Sequence, residues 1–286
     1  MEENGFNISE QKTGRFLLNL KRSPIDNRDF VAESIYPDDI EIPKTLDLRP
    51  YLQPVTNQGS QGTCSAQVAA CMQEYQARKE LKLTGENNKF SPQFVYNLRT
   101  EPGYSGMTPR ETMKIMHNDG IPREFLYEYG LIQMPDQISA DAYNDAKNFR
   151  IKNYAQISTI EALKKALVKD GVCYICFPVF NESPHMWKAA QGETDKGGHA
   201  MSVVGFNKKG FIIRNSWGDR WADNGYTIYP YSDWGAHWEI WTTIDAESFL
   251  PEFDVEDYVR PIKASHMLWA SAAILLLWNF FFKETK

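Results

Sequence analysis

Four cysteines in 286 residues are too few for a disulfide-stapled scaffold. There is no excess of positive charge: 31 Lys and Arg face 37 Asp and Glu, a net charge of −6. A basic face able to neutralise phosphates is therefore missing, and a nucleic-acid partner is not expected. The opening residues, MEENGFNISE, contain neither a basic nor an apolar block, so no secretory signal is expected there. Internal repeats and low-complexity tracts are absent. A mean hydropathy of −0.49 excludes a polytopic membrane protein but not a single span. What remains is an ordinary globular composition, 42% hydrophobic and 24% charged, with eight Trp.

One long uncharged run exists. Residues 264–282, ASHMLWASAAILLLWNFFF, separate Lys263 from Lys283. As a helix rising 1.5 Å per residue they would span roughly 28 Å, about the thickness of a hydrocarbon core. The expectation is a transmembrane helix over 264–282, with 251–263 as a juxtamembrane linker and 283–286 as a short tail. The simplest topology then keeps the residues before 251, Cys64 among them, on the cytosolic side. Even Lys/Arg flanks leave the orientation open.

Residues 1–44 are polar and irregular apart from an apolar knot at Phe16–Leu20. They read as an N-terminal extension or short pro-segment, and their acidic, polar character favours a solvated one. Patterned sequence begins near Leu46. Thr63–Leu81 reads as a helix with Cys64, Val68, Cys71, Met72 and Tyr75 on one face. Ser91-Pro92 caps a second helix, and a third runs from about Pro109 to Asn118. Ser158 and Glu161 suggest a capping box for a fourth, ended by Gly171. Strands follow: Val172–Val179, His199–Phe206, Gly210–Arg214, Gly225–Pro230 and His237–Ile244. Helices first and strands later predict an α+β fold in two segregated halves, with a cleft between them.

The cysteines differ in promise. Cys71 falls on the apolar face of the first helix, a core thiol. Cys173 and Cys176 form C-x-x-C on a strand, where positions i and i+3 point to opposite faces, so neither a metal clip nor a redox pair is expected. Cys64 follows the glycine-containing loop Asn57–Thr63 and opens a helix, where unpaired N–H groups favour a thiolate. A thiolate nucleophile needs a base. Of five His, His199 ranks first, because it follows Gly197-Gly198 and enters an apolar strand. Asn215 ends the next strand and could orient an imidazole, with Trp217 to shield that contact.

Asn57-Gln-Gly-x-x-Gly-x-Cys64, Gly198-His199-Ala200 and Asn215-Ser-Trp-Gly218 resemble, in order and spacing, the three active-site blocks of the papain family of cysteine peptidases. Leu46-Asp-Leu-Arg49, Ser91-Pro-Gln-Phe94 and Gly225–Pro230 match more loosely, and the likeness covers about 45–245. It implies a papain-like two-lobed fold, a helical lobe facing an antiparallel β-barrel-like lobe, with a peptidase domain over 45–250. It implies Cys64 as nucleophile, His199 as its base and later acid, Asn215 holding the ring, and Gln58 with the Cys64 N–H stabilising the oxyanion. Trp217, Gly62 and Gly198 take supporting places, and Gly106 in Ser105-Gly-Met107 matches a substrate-binding glycine. Peptide or protein is the implied substrate, with no cofactor and no metal. Gln61 stands where the family has a cysteine, and Ser65 where it has Trp, a departure typical of a divergent branch in bacteria, archaea and large DNA viruses. Two other readings are compatible with the motifs: a papain-fold binding module without turnover, and a Cys-His acyltransferase.

Overall fold

A computed structural model describes residues 16–132 and 134–244. Its centre is α1, Cys64–Leu81, which begins directly after the glycine loop. The apolar-face pattern underestimates its burial. Residues 64 to 74 are buried all round, because α2 and α3 cover one side and the sheet covers the other. Helix α2, Pro92–Asn97, starts at Ser91, whose hydroxyl accepts the Phe94 N–H. Helix α3, Pro109–Asn118, carries a complete capping box between Thr108 and Glu111. A short α4, Ala140–Ala146, has no long periodic pattern and escapes the sequence reading.

Helix α5, Ile160–Lys169, is capped by Thr159 rather than Ser158: the Thr159 hydroxyl accepts the Ala162 N–H. The Ser158 N–H and hydroxyl instead both donate to the Glu33 carboxylate, which takes the place of the expected Glu161. A distant carboxylate thus satisfies the helix start, a contact that a local capping pattern cannot reveal.

The strands are β1 (Leu46–Asp47), β2 (Asn153–Gln156), β3 (Cys173–Pro178), β4 (Gly198–Phe206), β5 (Gly210–Arg214), β6 (Tyr226–Pro230) and β7 (Glu239–Ile244). They form one antiparallel sheet in the order β2-β7-β3-β4-β5-β6, with β1 added on β4. The sheet is open, not closed into a barrel. Strand β2 is only half buried and lacks a strong apolar alternation, which is why it was not foreseen. Cross-strand partners share a face, so the register puts Tyr174, Ser202 and Trp241 in one row and Cys176, Ala200 and Glu239 in the next. The Tyr174 and Ser65 hydroxyls are 2.8 Å apart, so this face looks onto α1.

Residues 16–20 lie against the protein rather than in solvent, whereas most of residues 21–41 are exposed or half exposed. Phe16, Leu18 and Leu20 are buried while residues 17 and 19 are half exposed, the alternation of an extended chain lying on a surface. The apolar knot itself is legible in the sequence, but the polar composition of the rest of the extension favoured a solvated segment over a docked one. Among the described residues no helix is long and apolar enough to cross a membrane. The run at 264–282, with its linker and tail, lies outside the described residues.

Candidate active site

The loop before α1 is folded tightly against the segment Ser105–Met107. A side chain on Gly62 would collide with the Ser105 carbonyl, so this position tolerates only glycine. The loop delivers Cys64 to the first turn of α1, and the N–H groups of Ala200, Ser65 and Cys64 itself are directed at its sulfur. Ala200 follows His199 on β4. The sulfur therefore lies against the strand that carries the imidazole.

His199 is fully buried. Its Nε2 is 2.7 Å from Asn215 Oδ1. The Ser216 N–H donates to the same oxygen at 2.8 Å, which fixes the amide orientation. Because Oδ1 can only accept, Nε2 must carry the hydrogen, and in the neutral ring Nδ1 keeps the lone pair. Nδ1 is buried and has no hydrogen-bond partner. The arrangement thus presents a base whose other nitrogen is already oriented. Trp217 stacks on the imidazole with ring centroids 4.5 Å apart, shielding the His199–Asn215 bond.

Gln58 is held at three points. Its N–H donates to the Ser216 carbonyl at 2.9 Å, its Oε1 accepts the Ser216 hydroxyl at 2.8 Å, and its Nε2 donates to the Gln61 carbonyl at 3.0 Å. One N–H of that amide is left over. Tyr129, which the sequence did not single out, donates to the Gln58 carbonyl and pairs with the Thr63 hydroxyl, both at 2.8 Å. Ser216 was readable only as the middle of Asn-Ser-Trp; its function of joining Gln58 to the Asn215 loop needs the fold.

The electrostatics of this arrangement are those of a neutral pair. Burial pushes the Cys64 thiol up, against the lowering by the surrounding N–H groups. Burial also lowers His199 to about 4, although the Asn215 bond raises it. The helix-start argument foresaw a lowered thiol, but desolvation outweighs it here. The reason is the segment 16–24, which lies over the site. Phe16 stacks on Trp217 at 4.6 Å. The Leu20 N–H donates to the Gly198 carbonyl at 3.3 Å, and the Lys21 N–H to the Met107 carbonyl at 3.2 Å. A Cβ on Gly106 would meet the Asn19 carbonyl, and one on Gly198 would meet the Leu20 carbonyl and Trp238. The chain bridges both walls of the cleft, leaving Cys64 2% exposed. On the α3 side a cavity of about 580 Å³ remains, lined by Lys21, Tyr104, Gly106, Met107 and Arg110 among others.

All four cysteines are free and buried, and no cluster among the described residues could hold a metal ion. Cys64, His199, Asn215, Gln58 and Trp217 converge, while Cys71 and Cys173 are core thiols and Cys176 is buried on β3 opposite Ala200.

The family model described as papain family cysteine protease matches residues 42–236, more than half of the chain. The chain belongs to the papain family. Among curated papain-family relatives, an uncharacterized peptidase C1-like protein of Acanthamoeba polyphaga mimivirus is 29% identical over 201 residues, 61% of this chain and 63% of that protein. Cathepsin K of Mus musculus is 28% identical over 221 residues, 71% of this chain and 64% of that protein. The match thus spans less than two thirds of either relative's length. Among solved structures, xylellain, a cysteine protease from Xylella fastidiosa, is similar with a TM-score of 0.68 and 26% identity, over 82% of this chain and 98% of that one. These likenesses carry the papain-like assignment of the helical lobe and the facing sheet.

Proposed function

We propose that the chain is a thiol endopeptidase and that segment 16–24 keeps it latent. The observation that carries the reading is the oriented imidazole: Nε2–H bonded to Asn215, Nδ1 without a partner, and the Cys64 sulfur against the next residue of β4. Cys64 gives its proton to His199 Nδ1, and the thiolate attacks the substrate carbonyl carbon. The spare Gln58 N–H and the Cys64 N–H stabilise the resulting oxyanion. His199 returns the proton to the departing amine, which leaves a thioester on Cys64. Water, deprotonated by the same imidazole, then releases the acid and restores the thiol.

The ion pair is costly while 16–24 excludes water from both groups. Displacement of this segment both opens the cleft and lowers the cost of charging the pair. In a full-length chain with the segment loosened by Phe16→Ala and Leu20→Ser, peptide cleavage and Cys64 alkylation by iodoacetamide are expected. Cys64→Ala on that background abolishes cleavage, and Gln58→Ala lowers kcat by roughly 10²–10³. Cleavage surviving Cys64→Ala would refute the assignment.

The apolar run 264–282 supports a membrane tether, by its length and lack of charge. Carbonate extraction checks this: the full chain is expected in the membrane pellet and a Δ264–286 chain in the supernatant. Equal solubility of the two removes the tether.

A further inference from the structure

The two oxyanion donors stand at the two ends of one loop. Gln58 carries the side-chain donor, and Thr63 immediately precedes the Cys64 N–H. Both ends meet at a single atom, the Tyr129 hydroxyl. The Gln58 carbonyl can only accept, so Tyr129 donates to it at 2.8 Å. With its one hydrogen spent, Tyr129 accepts from the Thr63 hydroxyl, also at 2.8 Å. Gln58 and Thr63 are both buried, so these bonds are shielded from solvent. The tyrosine sits on a rigid mount. Gln93 of α2 accepts the Gly130 N–H at 3.0 Å. Asn97, one turn further on, donates to the Tyr127 hydroxyl and to the Leu131 carbonyl, both at 2.7 Å. Residues on either side of Tyr129 are therefore tied to a buried helix.

Thr63 has a competing use for its hydroxyl. A threonine just before a helix ordinarily caps it, accepting the N–H of the second or third helical residue from an extended backbone. Thr63 does neither: its ψ is 12°, far from extended, and its hydroxyl accepts no helix N–H. The same ψ sets the plane of the peptide that joins Thr63 to Cys64, and hence the direction of the Cys64 N–H. Capping would rotate that peptide and re-aim the N–H. At the other end of the loop, Gly59 has φ of +60° and a Cβ there would meet nothing, so sterics do not lock the chain after Gln58. The Gln61 N–H reaches the Gln58 carbonyl only at 3.4 Å, which leaves Tyr129 as its closer partner.

We propose that Tyr129 is a positioning residue for the oxyanion site: its hydroxyl pins Gln58 and keeps Thr63 from capping α1, so that both donors stay aimed. The proposal rests on the peptidase reading above. Its test uses the full-length chain with the covering segment loosened by Phe16→Ala and Leu20→Ser. On that background Tyr129→Phe removes one oxygen and leaves the ring. Its kcat should fall about tenfold or more, short of the roughly 10²–10³ that a missing donor costs, with KM changed by less than about twofold. The urea midpoint should stay near the parent's, because the freed Thr63 hydroxyl gains a helix cap in exchange. Tyr129→Phe added to Gln58→Ala should cost less than it does alone, since one of the donors it aims is already gone. Thr63→Val added to Tyr129→Phe removes the competing cap and should recover part of kcat. Three results overturn the positioning role while leaving the peptidase in place: kcat lost only in step with the urea midpoint, a loss that adds fully to that of Gln58→Ala, or no recovery with Thr63→Val. A Tyr129→Phe chain whose kcat matches the loosened parent's overturns it as well. If the loosened parent, with Cys64 open to iodoacetamide, cleaves no peptide, the peptidase reading fails and the positioning role falls with it.

Discussion

Residues 16–24 and residues 26–38 belong to one continuous segment but are held in opposite ways. The first arm lies in the cleft and is fixed by apolar burial, ring stacking and main-chain hydrogen bonds. It covers groups that are held neutral, Cys64 and His199. The second arm lies on the outside and is fixed by charge. Asp29 binds Arg110 of α3, whose Nε is 2.9 and 3.0 Å from the two carboxylate oxygens. Glu33 caps α5 through Ser158 and Thr159. Lys165 reaches Asp38 at 3.3 Å. Contacts of the first kind are separable one by one and are replaceable by a substrate of similar shape, and the ion pair that this arm makes, Lys21 with Glu101 at 3.2 Å, is exposed. The buried Arg110–Asp29 pair is not replaceable in this way, because removing one partner strands the other. The division assigns access to the first arm and attachment to the second: the cleft can open while the segment stays tied to the domain.

The largest effect that would break this comparison is at Arg110. Its side chain is 9% exposed and that of Asp29 13%. Arg110 also donates to the Pro24 carbonyl through its guanidinium, and its main-chain N–H donates to the Ser23 hydroxyl, so it sits at the joint of the two arms. Arg110→Ala leaves Asp29 buried without a counter-charge and is expected to cost about 3–5 kcal/mol of unfolding free energy. Urea denaturation measures it. Arg110→Met with Asp29→Leu should recover much of that loss, since the desolvation penalty leaves together with the pair. A loss below about 1 kcal/mol for Arg110→Ala would mean that the outer arm is attached no more firmly than the inner one.

The site was more legible in the sequence than the segment that covers it. Cys64, His199 and Asn215 were found because each sits at a junction with a local signature: a glycine loop before a helix, a glycine pair before a strand, an Asn at a strand end. Trp217 stood out as a shield for the Asn215 contact and Gln58 came with the motif, but the function of Ser216 did not, because its two bonds to Gln58 join residues far apart in sequence. Most helix and strand positions followed from apolar periodicity and capping residues. Strand β2 and helix α4 did not, being short and weakly patterned. The capping of α5 was misread for a related reason, since Glu33 contributes from 125 residues away. Tyr129 offered no signal at all: a tyrosine before a loop glycine is unremarked until the fold sets its hydroxyl between Gln58 and Thr63. The thiol's direction of shift was wrong because a helix start is visible in sequence and burial by a remote segment is not.

A smaller effect sharpens the comparison through pH. If the inner arm keeps His199 neutral, protonating that ring must work against the covered state. His199 is lowered to about 4, and His237, half-buried beside Tyr229, also to about 4. For a group whose folded value lies below its ordinary 6.5, the unfolded chain binds the proton first. The contribution is therefore full above pH 6.5 and is lost as pH falls toward 4. Glu74, on the far side of α1, opposes this. Burial raises it to about 8, although Arg214 lowers it, so its contribution is full below its ordinary 4.5 and is lost as pH rises through 8. At pH 6 the two histidines dominate and stability rises with pH; at pH 7 Glu74 dominates and stability falls. Between pH 5.5 and 7.5 the opposing contributions nearly cancel, and thermal unfolding of the full chain should show a shallow maximum near pH 6.5. Glu74→Gln removes one side of that balance. Its stability should fall by about 1–2 kcal/mol from pH 7.5 to 5.5, a discounted share of the roughly 1.4 kcal/mol that each pH unit carries per proton. The outer arm should stay attached over this range, since the Glu33 carboxylate is lowered by its bonds to Ser158 and Thr159 against the opposing effect of burial. Acid then loosens the inner arm first, and Cys64 alkylation by iodoacetamide in the Glu74→Gln chain should be faster at pH 5.5 than its thiolate fraction alone allows. A Glu74→Gln chain as flat with pH as the parent would mean that the covered imidazole is not held neutral, and the contrast between the two arms would lose its electrostatic half.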